Sequence, residues 1–188
     1  MGRLLVLCPR CHTDQVMKGS RTTVHIRNTT TDGFVAQLAR RKEQAMPIPE
    51  SVRALMTTGP QAHLTTLNPD GSPQVTMVWV GLEDDEFVMG HLGVWHKVKN
   101  IRRDPRVALT LLGQGKNPMG LQEYVVIYGR ARITEGGAVP LLQRLAHLYL
   151  GPSVEFPPAP SRNHPGYITR ITPTRFAGVG PWNPSQQE

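Results

Sequence analysis

The tetrad Asn68-Pro69-Asp70-Gly71 lies between two short runs in which apolar and polar residues alternate, and this punctuation limits the fold more than any other feature of the chain. Asparagine, proline, aspartate and glycine together mark a sharp turn, and alternation on either side has the period of a half-buried strand. His63–Leu67 and Gln74–Val80 are therefore expected to form a β-hairpin. The pattern continues downstream, with a turn at Glu83-Asp84-Asp85 and a third strand over Glu86–His91. Lys97–Arg103 reads as a short basic helix that stops at Asp104-Pro105. Arg106–Leu112 is a fourth strand, Gly113–Gly120 a loop and Tyr124–Ile133 a long fifth strand. Ala138–Leu150 carries Leu141, Leu142, Leu145 and Leu148 at helical spacing. Pro152–Pro165 is a proline-rich loop, and Tyr167–Val179 holds a last strand interrupted by Pro173. Ahead of the hairpin, Pro49 opens a short helix with Val52, Leu55 and Met56 on one side, ended by Gly59-Pro60. The expected fold is mainly β (α+β): a closed or partly closed antiparallel barrel of about six strands with short flanking helices. Helices do not alternate with strands as parallel βαβ units require, and no segment repeats.

Residues 1–45 differ from the rest, being polar, rich in Thr and Arg, and without sustained periodicity until Phe34–Arg41, which could make a short helix. They are read as a disordered or loosely packed extension, with the barrel domain over residues 46–188. A second reading makes residues 1–45 upstream sequence and Met46 the start. Cys8-Pro9-Arg10-Cys11-His12 resembles half a zinc site, but only His12 and His25 lie near and no second Cys pair exists. Structural zinc needs four ligands, so no metal is expected.

A chain of 188 residues with 39% hydrophobic residues can bury a core. No apolar stretch reaches the ~20 residues that span a bilayer, and the start lacks a signal-peptide pattern. The expectation is a cytoplasmic protein without membrane contact. The net charge of +7 calls for an anionic partner. Basic residues are scattered, with no block of five and no nucleic-acid-binding motif, so nucleic acid is not expected as the partner.

An anionic cofactor would account for a local basic cluster as well as nucleic acid would. Lys97 and Lys99 open the short helix after the third strand, where free N–H groups and the helix dipole attract phosphate. His96 could add a hydrogen bond. The competing reading makes Lys97, Lys99, Arg102 and Arg103 a solvated basic face.

Two segments decide between these readings by resemblance. Asn68-Pro69-Asp70-Gly71-Ser72-Pro73-Gln74-Val75 resembles the first hairpin of pyridoxamine-5′-phosphate-oxidase-like proteins. Lys97-Val98-Lys99-Asn100-Ile101-Arg102-Arg103-Asp104-Pro105-Arg106-Val107 resembles their phosphate-side signature, Lys-x-Lys/Arg-Asn-Ile/Leu-x-x-Asp-Pro-Arg-Val. Both fall in the family's order and separation, over about Pro47–Trp182. The resemblance is closest to the actinobacterial branch that uses the deazaflavin coenzyme F-420. It implies a split β-barrel, a homodimer with cofactor at the interface, and an oxidoreductase that passes hydride to a small, unsaturated or quinone-like substrate. FMN is the alternative cofactor. A non-catalytic flavin or haem carrier is the alternative function, and a DNA-binding role of residues 1–45 is a more distant one.

By the same resemblance the cofactor-binding residues are Gln74, Thr76, Gly90, His91, His96, Lys97, Lys99 and Asn100. Gln74 and Thr76 would meet the ring from the second strand, while Gly90 would allow close backbone approach. Trp95 stands where relatives commonly carry another basic residue, which weakens one expected phosphate contact; His96 or Lys99 could substitute, or Trp95 could pack on the cofactor. Gly178-Val179-Gly180-Pro181-Trp182 resembles a tail found near the interface or the cofactor pocket. Arg170 and Arg175 are the only candidates for the second basic pair of the true oxidases. The cofactor carries the hydride chemistry, so no catalytic residue is assigned.

Overall fold

A computed structural model describes residues 45–182. The Phe34–Arg41 helix and the Cys8, Cys11, His12 and His25 group expected from sequence lie outside them. The chain runs through helix α1 (Glu50–Met56), strands β1 (Ala62–Leu67), β2 (Pro73–Val78), β3 (Gly81–Glu83) and β4 (Glu86–His91), and helix α2 (His96–Arg103). Strands β5 (Arg106–Lys116) and β6 (Gln122–Glu135), helix α3 (Ala138–Leu150) and strand β7 (Tyr167–Val179) follow. The seven strands form one sheet in the order β2-β1-β5-β6-β7-β4-β3, with every pair antiparallel.

That order puts β2 and β3 at opposite edges, yet only Trp79 and Val80 separate them in the chain. A step of three residues spans at most ~10 Å. The sheet must therefore curl until its two edges adjoin, and the result is a split barrel. β1 alternates strictly, with Ala62, Leu64 and Thr66 buried. Leu109 and Leu111 of β5 and Val125 and Ile127 of β6 continue the inner face, and Val52, Leu55 and Met56 of α1 join the same core. β4 is buried on both faces: Phe87 and Met89 enter this core, while Val88 meets Leu141 and Leu145 of α3 in a smaller cluster. Burial on both faces is why Phe87-Val88-Met89 reads as an apolar run and not as an alternation.

The structure has one strand more than the sequence pattern suggested. β3 has three residues, too few to show a period. The expected loop Gly113–Gly120 is also shorter, because Lys116 pairs with Gln122 beyond an irregularity after Leu112. Asn117 closes the remaining turn, its side-chain oxygen accepting from Leu121 N at 2.9 Å. Pro173 does not break β7; it pairs with Gly129 next to a register shift, the position where a strand tolerates proline.

Ion pairs tie β3 and β4 to the neighbouring elements. Glu83 pairs with Arg144 of α3 and with Arg170 of β7 (2.8 Å), and Glu86 pairs with Arg132 of β6. The Arg132 hydrogen bond holds the Glu86 carboxyl below its usual range against the opposing effect of burial. Arg170 is thereby committed to structure. Arg175 lies over the Tyr128 ring at 3.8 Å. Neither serves as the basic substrate pair considered above. Among the described residues no helix is long and apolar enough to cross a membrane.

Candidate functional site

The seam of the barrel leaves a cavity of about 470 Å³, within the usual range for small-molecule sites. Strand ends supply one side, with Ala62 from β1, Met77 and Val78 from β2, and Met89, Gly90 and His91 from β4. Lys97 of α2 forms the polar end, and Leu142 and Tyr149 of α3 with Phe156 form an apolar wall together with Trp79. Trp79 stacks on Tyr149 (ring centroids 5.7 Å apart, planes at 15°) and receives Phe156 edge-on at 5.1 Å. These are the offset and edge arrangements that aromatic pairs prefer.

Tyr149 fixes this wall to the barrel. Its hydroxyl lies 3.0 Å from Pro60 O and 3.2 Å from Val80 O, and it accepts the Val80 N–H at 3.2 Å. Burial raises the phenol pKa, so the group stays a neutral donor. Tyr149→Phe should cost about 1–2 kcal/mol in a urea titration, the value of losing one buried hydroxyl. No change in the unfolding midpoint would show that water replaces these bonds.

The start of α2 has no acidic neighbour paired with it among the described residues. No side chain caps the helix, and Trp95 O accepts only from Val98 (3.0 Å) and Lys99 (3.1 Å). The N–H groups of His96 and Lys97 make no hydrogen bond among the described residues. Lys97 is half-buried, has no carboxylate partner among those residues, and has its pKa lowered by burial. His91 is buried beside it, with Nε2 2.8 Å from Thr169 Oγ1. Burial and then the Lys97 charge push the His91 pKa down to about 4, so its ring is neutral at pH 7.

α2 is locked to the first hairpin by two side chains, Asn100 and Arg103. Asn100 is buried, and its Nδ2 donates to Thr66 Oγ1 (3.1 Å) and Asn68 Oδ1 (3.0 Å). Thr66 Oγ1 in turn donates to Gln74 Oε1 (2.8 Å), and Arg103 donates to Leu67 O. Asp104 accepts from the Arg106 backbone (3.1 Å) and turns the chain into β5. The two sequence segments singled out above are thus in contact, and the hairpin Asn and the helix Asn are each other's partners.

A family model described as pyridoxamine 5′-phosphate oxidase matches residues 48–180, well over half of the chain. The chain belongs to this family. No curated protein sequence matches it. Among solved structures, an F-420 reductase is 27% identical, with a TM-score of 0.56 over 69% of this chain and 98% of that one. A conserved hypothetical protein of Mycobacterium tuberculosis is 23% identical, with a TM-score of 0.56 over 72% of this chain and 88% of the other. The Group A Streptococcus protein HupZ is 16% identical, with a TM-score of 0.51 over 70% and 94%. The last two share the fold.

Within this family fold, the residues expected from sequence divide into groups. Gly90, His91 and Lys97 line the cavity together. His96 and Lys99 are exposed on α2, outside the lining. Asn100 and Gln74 are held in the hairpin clamp. Thr76 lies on the same side of β2 as Gln74, and its hydroxyl is buried without a hydrogen-bond partner among the described residues. Gly90 is needed for packing as well, since a Cβ there would meet Leu142 Cγ at 2.7 Å. Trp95 is 60% exposed and supplies no cation. Trp182 is not at an open surface: it is buried in the main core, its Nε1 donates to Tyr124 O at 2.8 Å, and Gly180 at φ +136° lies against its ring. Sequence reasoning missed Trp79, Tyr149 and Phe156 as wall residues. Among the described residues no group of three His, Cys, Asp or Glu is placed to hold a metal.

Proposed function

We propose that this protein is an oxidoreductase that binds coenzyme F-420 and passes hydride to a small unsaturated organic acceptor. One observation carries the reading: Lys97, a half-buried cation with no acid beside it among the described residues, sits at an uncapped helix start that opens into a ligand-sized cavity. Charge-assisted bonds to Lys97 Nζ and to the His96 and Lys97 N–H groups would hold a cofactor phosphate. Met77, Val78 and Met89 would keep water from the ring, and the unpaired Thr76 hydroxyl adds a polar atom on the same strand. When bound, the deazaflavin supplies a two-electron hydride, so the chain needs to orient and shield but not to supply its own redox group. Similarity to an F-420 reductase over nearly all of that chain supports the choice of cofactor.

The reading includes a homodimer. Val75 and Met77 point outward from the edge strand at 56% and 63% exposure. Register extends this outer face through Thr65 and His63 of β1, Ala108 and Thr110 of β5, and Tyr128 and Val126 of β6. A face that carries Val75, Met77, Ala108, Val126 and Tyr128 among only three polar residues suits a second copy, and Met77 belongs to both face and cavity.

Parallel fluorescence titration with F-420 and FMN tests the cofactor, and sedimentation tests the dimer. Tight F-420 binding followed by acceptor-dependent oxidation of reduced F-420 is expected. Binding of FMN alone moves the protein to a flavin reading, and binding without turnover makes it a carrier.

A further inference from the structure

The aromatic wall differs from the rest of the cavity in how it is built. Trp79 and Tyr149 come from the folded body, and both pack on the cluster under α3. Phe156 belongs to neither core cluster; it is carried by the proline-rich segment between α3 and β7. Two side chains hold that segment. Gln143 of α3 donates from Nε2 to Val154 O (2.7 Å) and accepts the Phe156 N–H at Oε1 (2.9 Å). This two-point contact imitates a strand partner and sets the position of the Phe156 backbone. From the other side, Arg162 donates from Nε to Pro157 O (2.9 Å) and pairs with Glu155 (2.8 Å).

The segment is thus pinned so that one ring closes on Trp79. Packing of the core does not require this. The cavity gains from it: Trp79, Tyr149 and Phe156 pack on one another into a continuous aromatic wall, and a flat ring packs on such a wall better than a puckered one. We propose that Phe156 is a specificity-determining residue of this site, selecting planar, uncharged ring systems, and that Gln143 is its positioning residue. This rests on the reading of the cavity as the place where the acceptor enters. Lys97 takes no part in the selection, since its charge is directed to the cofactor phosphate.

The test compares 2-naphthol with its saturated analogue decahydro-2-naphthol, which has the same skeleton and hydroxyl but is puckered. Calorimetric titration of the full chain should show about tenfold tighter binding of the planar probe. Phe156→Leu and Gln143→Ala should bring the two affinities within about twofold by weakening only the planar probe. Gln143→Met keeps the length and packing of the side chain but neither hydrogen bond, and should lose the preference as Gln143→Ala does, an outcome that a mere loss of packing would not give. The wild-type protein failing to prefer 2-naphthol, or Phe156→Leu leaving the preference intact, overturns the proposal. A preference lost in Phe156→Leu but kept in Gln143→Ala overturns the positioning role. F-420 affinity measured on the same samples separates the two ideas. Planar preference without F-420 binding removes the cofactor reading and leaves the wall, whereas F-420 binding without preference does the reverse.

Discussion

Lys97→Met should weaken F-420 binding by about 30-fold while leaving the unliganded protein as stable as before, or slightly more so. A charge-assisted hydrogen bond contributes about 1.5–3 kcal/mol, which is ten- to a hundredfold in affinity. Methionine retains most of the apolar stem, so packing against the cavity changes little. In the free protein the ammonium has no carboxylate among the described residues to offset its burial, and burial already pulls its pKa down. Removing it therefore removes a cost. An ion-paired structural lysine would behave in the opposite way, losing stability with its partner left unpaired. Affinity by fluorescence titration and the unfolding midpoint in urea distinguish the two. Lys99→Ala is the control: Lys99 is exposed and outside the cavity lining, and its loss should change affinity by no more than about twofold. Equal losses at Lys97 and Lys99 would mean a diffuse basic face and not a site.

What was readable from sequence follows from the range of the interactions involved. The Asn68–Gly71 turn is local chemistry: Asp70 accepts the Ser72 N–H (2.9 Å) and Gly71 N donates to Asn68 O (2.9 Å), so the residues that announce the turn also make it. Alternation in β1 and the leucines of α3 were likewise visible, because one buried face imposes a period. The phosphate-side segment was visible as a motif, but only the structure separates its parts. Asn100 and Asp104 hold α2 in place, while Lys97 faces the cavity. The aromatic wall left no signal, since Trp79, Tyr149 and Phe156 meet only after the sheet has curled and α3 has packed on β4. Trp182 misled for a related reason. Next to Gly180-Pro181 it has no periodic neighbours, and its place in the core depends on the carbonyl of Tyr124 on another strand. β3 was lost because three residues cannot display alternation.

His91 makes the protein sensitive to mild acid. Folded, its imidazole takes a proton only near pH 4, whereas the ordinary value is 6.5. Between these values the unfolded chain holds more protons than the folded one, so stability falls as pH drops from 6.5 to 4 and is unaffected by this group above that window. At 1.36 kcal/mol per unit, the loss is about 3 kcal/mol, a large share of the stability of a domain this size. Glu86 and Glu83 act in the same direction, but their carboxyls titrate below the ordinary value of 4.5 and so add their loss at the acid end. Urea midpoints measured from pH 7 to pH 4.5 isolate the histidine. His91→Gln keeps a hydrogen-bonding group for the Thr169 hydroxyl, which is fully buried, and removes the titration. Its stability should be nearly flat over that range, and a slope equal to the wild type's would assign the acid loss elsewhere. Lys97→Met provides a second check, because the Lys97 charge helps to depress the His91 pKa. In that variant the window should narrow from its acid side. The same coupling limits what His91 can do in the site: beside an unpaired lysine and out of water it is a neutral hydrogen-bonding wall at pH 7, and the positive charge there is left to Lys97 alone.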